Sequence, residues 1–110
     1  MTSPTEGERR SELELSTDEM LSLARRAAEM IVDRLERLPD EPAWLGGTRS
    51  ELEELFREGA PEIGRPAVEV LERAAREILP IAGRVDHPRF FAFVPSSSTW
   101  PAVVADFLSA

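Results

Sequence analysis

Prolines placed between short amphipathic runs are the feature that most restricts how this chain can fold. Proline lacks a backbone amide hydrogen and disfavours helical geometry in the residue before it, so regular helices rarely continue through one. Pro39, Pro61 and Pro80 each follow a stretch in which apolar residues recur every three or four positions. That spacing is typical of one face of an α-helix. The sequence therefore predicts a mostly α-helical chain of short helices joined by irregular connections.

Local start signals place these helices along the chain. Four are predicted, at about residues 17–38, 50–58, 66–82 and 99–110. Ser16 with Glu19, and Ser50 with Glu53, match the capping box, in which each residue of the pair bonds the backbone amide of the other. Pro66 suits the first turn of the third helix, where its missing amide costs no hydrogen bond.

The two ends of the chain differ in character. Residues 1–15 are polar and offer little apolar surface, so we expect a disordered lead-in. At the other end, Ser98 or Thr99 can cap the fourth helix, with Pro101 in its first turn. That helix is apolar over much of its circumference and carries no stop signal before Ala110. We therefore expect it to need cover from a domain that follows.

Charge and composition argue against several classes of partner. The formal net charge of −8 repels a phosphate backbone, so nucleic acid is not an expected partner. No apolar stretch approaches the roughly 20 residues that a membrane span needs, and the first dozen residues have no apolar signal core. The chain has no cysteine, which fits a reducing cytoplasm. We expect a soluble cytoplasmic protein.

An abrupt change in composition marks residues 87–98, where phenylalanine, proline and serine replace charged residues and alanine. We expect an extended loop there. His87 is interpreted as orienting this loop through a ring-nitrogen hydrogen bond, because no carboxylates at ligand spacing accompany it for a metal. The rings of Phe90, Phe91 and Phe93 either line a pocket or, as periodicity favours, pack alternately into a core. The serines at 96–98 have no glycine elbow, so turn and capping roles are favoured over a nucleophile.

The run from His87 to Asp106, HPRFFAFVPSSSTWPAVVAD, resembles the signature near the start of the group II pyridoxal-phosphate decarboxylases. This family includes the aromatic-L-amino-acid, tyrosine, histidine and glutamate decarboxylases. The resemblance implies that residues 16–86 are a helical N-terminal arm that packs across a homodimer. Residues 87–98 then line the substrate pocket, and residues 99–110 lead into a large aspartate-aminotransferase-like domain of fold type I that holds pyridoxal 5'-phosphate.

By the same resemblance, Phe93, Val94 and Pro95 contact the substrate side chain, and Ser96 hydrogen-bonds its far end. Aromatic decarboxylases usually have an aromatic pair where Phe93 and Val94 stand, and often a tryptophan where Val85 stands. The implied pocket is therefore wider or less aromatic. The chain has no lysine to hold the cofactor as a Schiff base, so catalytic and cofactor-binding residues are expected elsewhere and the chain alone should be inactive.

A second interpretation does not depend on the resemblance. The apolar stripe at residues 20–38 on an acidic chain is also what a free-standing helical protein-interaction module would carry. Such a module has no evident use for the run of proline, phenylalanine and serine at residues 87–98, in which Arg89 is the one arginine and no acidic residue occurs. A decarboxylase segment with an amino-acid substrate and a second copy as partners is therefore the favoured interpretation.

Overall fold

Short helices make up most of the structure, a computed structural model that describes residues 14–91 and 99–110. The α-helices are α1 (Thr17–Arg37), α2 (Arg49–Phe56), α3 (Ala67–Glu77) and α4 (Trp100–Ser109), and 3-10 turns lie at Leu38–Asp40 and Leu79–Ile81. No strand occurs in the two described ranges, which confirms the mostly α-helical prediction for them. Residues 1–13, most of the expected lead-in, lie outside the described residues.

The first helix begins at the predicted cap. The Ser16 hydroxyl accepts the Glu19 amide at 3.1 Å, and the Glu19 carboxylate accepts the Ser16 amide at 2.6 Å. This reciprocal bonding satisfies two amides that the first helical turn leaves unpaired. Pro39 cannot donate an amide hydrogen, and the chain passes from α1 into the 3-10 turn at Leu38.

The second helix begins earlier than predicted, because a different residue caps it. Thr48, and not Ser50, is the cap: its hydroxyl accepts the Glu51 amide at 3.3 Å, and the Glu51 carboxylate accepts the Thr48 amide at 2.8 Å. The sequence offers two overlapping capping boxes two residues apart. The earlier one frees Glu53 to pair with Arg49 at 2.9 Å, one helical turn away.

The third helix is shorter than the predicted 66–82. Pro66 is its cap and not its first helical residue, and the Pro66 carbonyl accepts the Glu69 amide at 3.0 Å. The α-helix ends at Glu77, and residues 79–81 form a 3-10 turn. Pro80 explains the early end, because it lacks an amide hydrogen and restricts the residue before it.

The region around residue 87 also differs from the expectation of an extended loop. Residues 85–89 are turns and bends, because the Arg84 carbonyl accepts the His87 amide and the His87 carbonyl accepts the Phe90 amide, both at 3.0 Å. Beyond the gap in the described residues, Thr99 occupies the cap position of α4 without a side-chain cap bond, and Pro101 lies in the first turn.

Helices α1 and α3 pack against each other. Few of the apolar side chains in the described residues are fully buried. Arg26 of α1 donates two hydrogen bonds to the Glu72 carboxylate of α3, so this arginine is a bridge between helices as well as part of a solvated face. Met30 and Leu38 are the buried apolar side chains of the described residues, 9% and 3% exposed. The arrangement leaves the stripes of α1 and α3 open to another surface.

Candidate functional site

The buried polar side chains of the described residues lie where the predicted pocket-lining segment, residues 87–98, begins. Arg84 is 3% exposed and His87 is 4% exposed. Asp86, between them, pairs with α1. We call Arg84, Asp86 and His87 the polar anchor. Burying such groups costs free energy unless they are hydrogen-bonded. Their hydrogen-bond partners therefore show which parts of the chain these residues hold together.

Arg84 joins two parts of the chain that are distant in sequence. Its Nη1 donates to the Pro42 carbonyl at 2.6 Å, and its Nη2 donates to the Pro80 carbonyl at 3.2 Å. The Glu41 carboxylate lies 3.2 Å from the same Nη1 and balances the charge. A guanidinium can make these contacts together because its donors form a rigid planar fork. Arg84 therefore fastens the connection after α1 to the turn after α3.

His87 is held through both ring nitrogens. The Arg89 amide donates to Nδ1 at 2.9 Å, and Nε2 lies 2.8 Å from the Glu41 carbonyl oxygen. Since Nδ1 must supply a lone pair to the amide, the hydrogen of the neutral ring is on Nε2, which donates to the carbonyl. The predicted ring-nitrogen hydrogen bond of His87 is confirmed, and its partners hold the turn against the chain after α1.

Asp86 adds a third attachment. Its two carboxylate oxygens accept from Arg34 at 2.8 Å and 3.2 Å, a two-pronged pair at the last turns of α1. The hydrogen bond from Arg34 lowers the pKa of Asp86, although partial burial alone would raise it. The same bond raises the pKa of the Arg34 guanidinium. Both groups are therefore charged at neutral pH, and the pair stays intact there.

The predicted substrate-contacting residues cannot be located against this anchor. Phe93, Val94, Pro95 and Ser96 lie outside the described residues. The last described residue before them, Phe91, is 87% exposed, so this ring does not pack into a core within the described part of the chain. The anchor, which ends at His87, is the part of the candidate site that the structure describes.

An apolar groove is the second feature of interest. Helices α1, α3 and α4 line it, with a cavity volume of about 810 Å³. The α1 side uses part of the predicted stripe, including Met20 and Ile31. The α4 side contributes Trp100, Val103, Val104 and Phe107. Phe107 is 68% exposed and Leu108 is 83% exposed, so the apolar surface predicted for this helix is uncovered in the described structure.

Sequence reasoning identified His87 but missed Arg84 and the residues that receive the anchor. Arg84 carries no local signal, because its partners are the backbone carbonyls of Pro42 and Pro80, 42 and 4 residues away. Within the described ranges, no three or more histidine, cysteine or acidic side chains group as metal ligands do. None of the described helices is both long and apolar enough to cross a membrane.

The sequence of this chain is similar to those of known decarboxylases. No family model matches the chain. The chain is 35% identical over 97 residues to an aromatic-L-amino-acid decarboxylase of Bacillus atrophaeus, a match covering 88% of this chain and 20% of that protein. It is 26% identical over 107 residues to the aromatic-L-amino-acid decarboxylase of Drosophila simulans and 25% identical to that of Drosophila melanogaster, each match covering 97% of this chain and 21% of the relative. The chain thus spans about a fifth of the length of these curated relatives.

Proposed function

Because this chain corresponds to an N-terminal part of the aromatic-L-amino-acid decarboxylase family, we propose that it is the dimerisation arm and substrate-pocket segment of such an enzyme. The intact protein would be a carboxy-lyase that acts on aromatic amino acids. The observation that carries the proposal is the match to the Bacillus atrophaeus decarboxylase across 88% of the chain. A cytoplasmic location is part of the proposal, supported by the lack of cysteine.

The cofactor expected for this chemistry is pyridoxal 5'-phosphate, and the residues of this chain do not fit it. The cofactor needs a lysine for its Schiff base, and all 13 basic residues other than histidine are arginines. We therefore assign cofactor binding and catalysis to parts of the protein outside this chain. This chain would contribute contacts between the two copies and part of the wall of the substrate pocket.

The pocket assignment rests on four residues. We propose that Phe93, Val94 and Pro95 contact the substrate side chain and that Ser96 hydrogen-bonds its far end. The anchor supports this proposal because a loop that contacts a substrate needs a fixed base, and the hydrogen bonds of Arg84 and His87 supply one. Residue 94 is aliphatic, which favours substrates that need less ring stacking at that point.

The dimer assignment rests on uncovered apolar surface. The groove between α1, α3 and α4 exposes side chains that soluble proteins rarely leave in one contiguous patch. A second copy of the protein, together with the large domain that the resemblance implies, would cover it. A free-standing interaction module would explain the groove equally well, but it leaves the polar anchor and the run of proline, phenylalanine and serine at residues 87–98 without a purpose.

Replacing Ser96 by alanine in the protein expressed from its complete reading frame tests the pocket assignment. We expect Ser96→Ala to lower kcat/KM about tenfold for ring-hydroxylated substrates such as tyrosine and much less for phenylalanine, because one substrate hydrogen bond is lost. Cofactor absorbance should be unchanged. The matched control is Ser50→Ala, in the exposed helix α2.

Three outcomes bear on the proposal. A selective loss for hydroxylated substrates supports it. Loss of cofactor absorbance in Ser96→Ala contradicts the pocket assignment, since a residue that contacts only the substrate should not affect cofactor binding. A wild-type protein that releases no carbon dioxide from any aromatic amino acid contradicts the proposed function as a whole.

A further inference from the structure

The polar anchor fixes a point very close to the predicted pocket residues. Its second backbone turn closes at Phe90, where the amide donates to the His87 carbonyl at 3.0 Å. Two residues lie between Phe90 and Phe93 along the sequence, and the three Cα–Cα steps that join them span at most about 11 Å even when fully extended. The position of the turn therefore limits how far away Phe93 can lie.

The anchor has no other evident purpose in the described structure. It buries a charged and a polar side chain where few apolar side chains are buried, so it does not serve a large core. All of its long-range bonds run to the last turns of α1, at Arg34, or to the connection after α1, at Glu41 and Pro42. Bonds of this kind fix the position of the turn as well as stabilising it, because their donors and acceptors must meet in a defined geometry.

We propose that His87 and Arg84 are positioning residues that hold the start of the predicted pocket-lining loop, residues 87–91, against the connection that follows α1. This inference rests on the proposed function. His87 sets the second turn through the Glu41 carbonyl, and Arg84 sets the start of the first turn through the Pro42 and Pro80 carbonyls. Neither residue is assigned a contact with substrate, cofactor or reacting atoms.

Two replacements of His87 separate its local bond from its long-range bond. In His87→Asn, the amide oxygen can stand where Nδ1 stands and accept the Arg89 amide, two residues on, but the side chain is too short to reach Glu41. In His87→Gln, the amide nitrogen can stand where Nε2 stands and donate to the Glu41 carbonyl. The two variants therefore retain opposite halves of the His87 hydrogen bonding.

We expect His87→Asn to raise KM about tenfold for the preferred aromatic amino acid while kcat changes less than about twofold, because the pocket segment contributes uniform substrate binding. His87→Gln should return KM to within about threefold of the wild type. The experiment uses the protein expressed from its complete reading frame, with cofactor absorbance recorded for each variant.

A second pair of variants guards against misfolding of the His87 variants. Arg84→Lys keeps the charge but offers a single ammonium in place of the planar fork, so it cannot repeat both carbonyl bonds. Arg76→Lys is its control, because the Arg76 side chain is 68% exposed and its nearest carboxylate, that of Glu77, is 4.0 Å away. We expect Arg84→Lys to raise KM and Arg76→Lys to leave it unchanged.

The outcomes distinguish failure of the inference from failure of the proposed function. If the wild type is active and Ser96→Ala shifts its specificity, an unchanged KM in both His87→Asn and Arg84→Lys overturns the positioning role alone. Equal loss of kcat and cofactor absorbance in His87→Asn and His87→Gln also overturns it, since this indicates a general structural role. If the wild type has no decarboxylase activity, the proposed function fails and the inference fails with it.

Discussion

Replacing Arg84 by methionine is the most direct test of whether the polar anchor holds residues 84–91 in place. Methionine fits the space of the arginine stem and has no hydrogen to donate. The replacement leaves the carbonyls of Pro42 and Pro80 without their donor, in a place where the arginine is only 3% exposed. It also removes the cation 3.2 Å from the Glu41 carboxylate.

The size of the effect follows from these contacts. Two hydrogen bonds from a charged group together contribute about 3–6 kcal/mol net. The Glu41 carboxylate is 34% exposed, so solvent screens that pair and it adds less than about 1 kcal/mol. Burying an apolar methionine recovers about 2 kcal/mol. We therefore expect the free energy of local opening at residues 84–91 to fall by about 3 kcal/mol, a roughly hundredfold increase in the open fraction.

Amide hydrogen exchange in the full-length protein measures this quantity, because peptides covering residues 84–91 include the His87 and Phe90 amides that close the two turns. Arg49→Met is the control. The Arg49 side chain is 90% exposed and pairs with Glu53 within α2, so its loss should change exchange by less than about threefold. Exchange at residues 84–91 that accelerates less than threefold in Arg84→Met would refute the reasoning, as would equal acceleration in Arg49→Met.

Two further predictions concern the cap of α2 and the pH dependence of the anchor. Thr48→Ala should destabilise α2 by about 1 kcal/mol while Ser50→Ala has little effect, because the Thr48 hydroxyl makes the cap hydrogen bond. Amide hydrogen exchange at residues 49–56 measures this loss of stability. A larger effect of Ser50→Ala would show that Ser50 is the cap, as the sequence predicted. Arg34 lowers the pKa of Asp86, so the pair stabilises the anchor above the ordinary aspartate pKa of about 4 and is lost as pH falls below it. Exchange at residues 84–91, corrected for its intrinsic rate, should therefore rise below about pH 4. Asp86→Asn should show that higher rate already at neutral pH. If neither change accelerates exchange, the Arg34–Asp86 pair does not stabilise the anchor.

Much of the helical structure was predictable because its determinants are local. The cap of α1 involves Ser16 and Glu19, three residues apart, and consists of hydrogen bonds between the side chain of each residue and the backbone amide of the other. Even the errors were local: Ser50 was chosen over Thr48 because two equivalent patterns overlap. No spacing rule ranks such patterns, and the choice depends on the pairing of Glu53 with Arg49.

Less of the candidate site than of the helical structure was predictable. The run from His87 to Asp106 pointed to the decarboxylases through resemblance, and the relatives in Bacillus atrophaeus and Drosophila confirm that direction. The hydrogen bonding of His87 was expected in kind, but not its partner. The contribution of Arg84 was not expected, because a single arginine between Gly83 and Val85 has the same local pattern on a solvated surface as in a buried network.

The amino-acid sequence was sufficient for the approximate positions of the helices, for the cap of α1 and for the resemblance to the decarboxylases. These properties depend on interactions across three or four residues, or on a short contiguous motif. Tertiary packing was needed to bring His87 to Glu41, 46 residues away, and Arg84 to Pro42, 42 residues away. Contacts of such separation depend on how α1 and α3 pack, because closing the intervening chain costs entropy that only the assembled structure offsets.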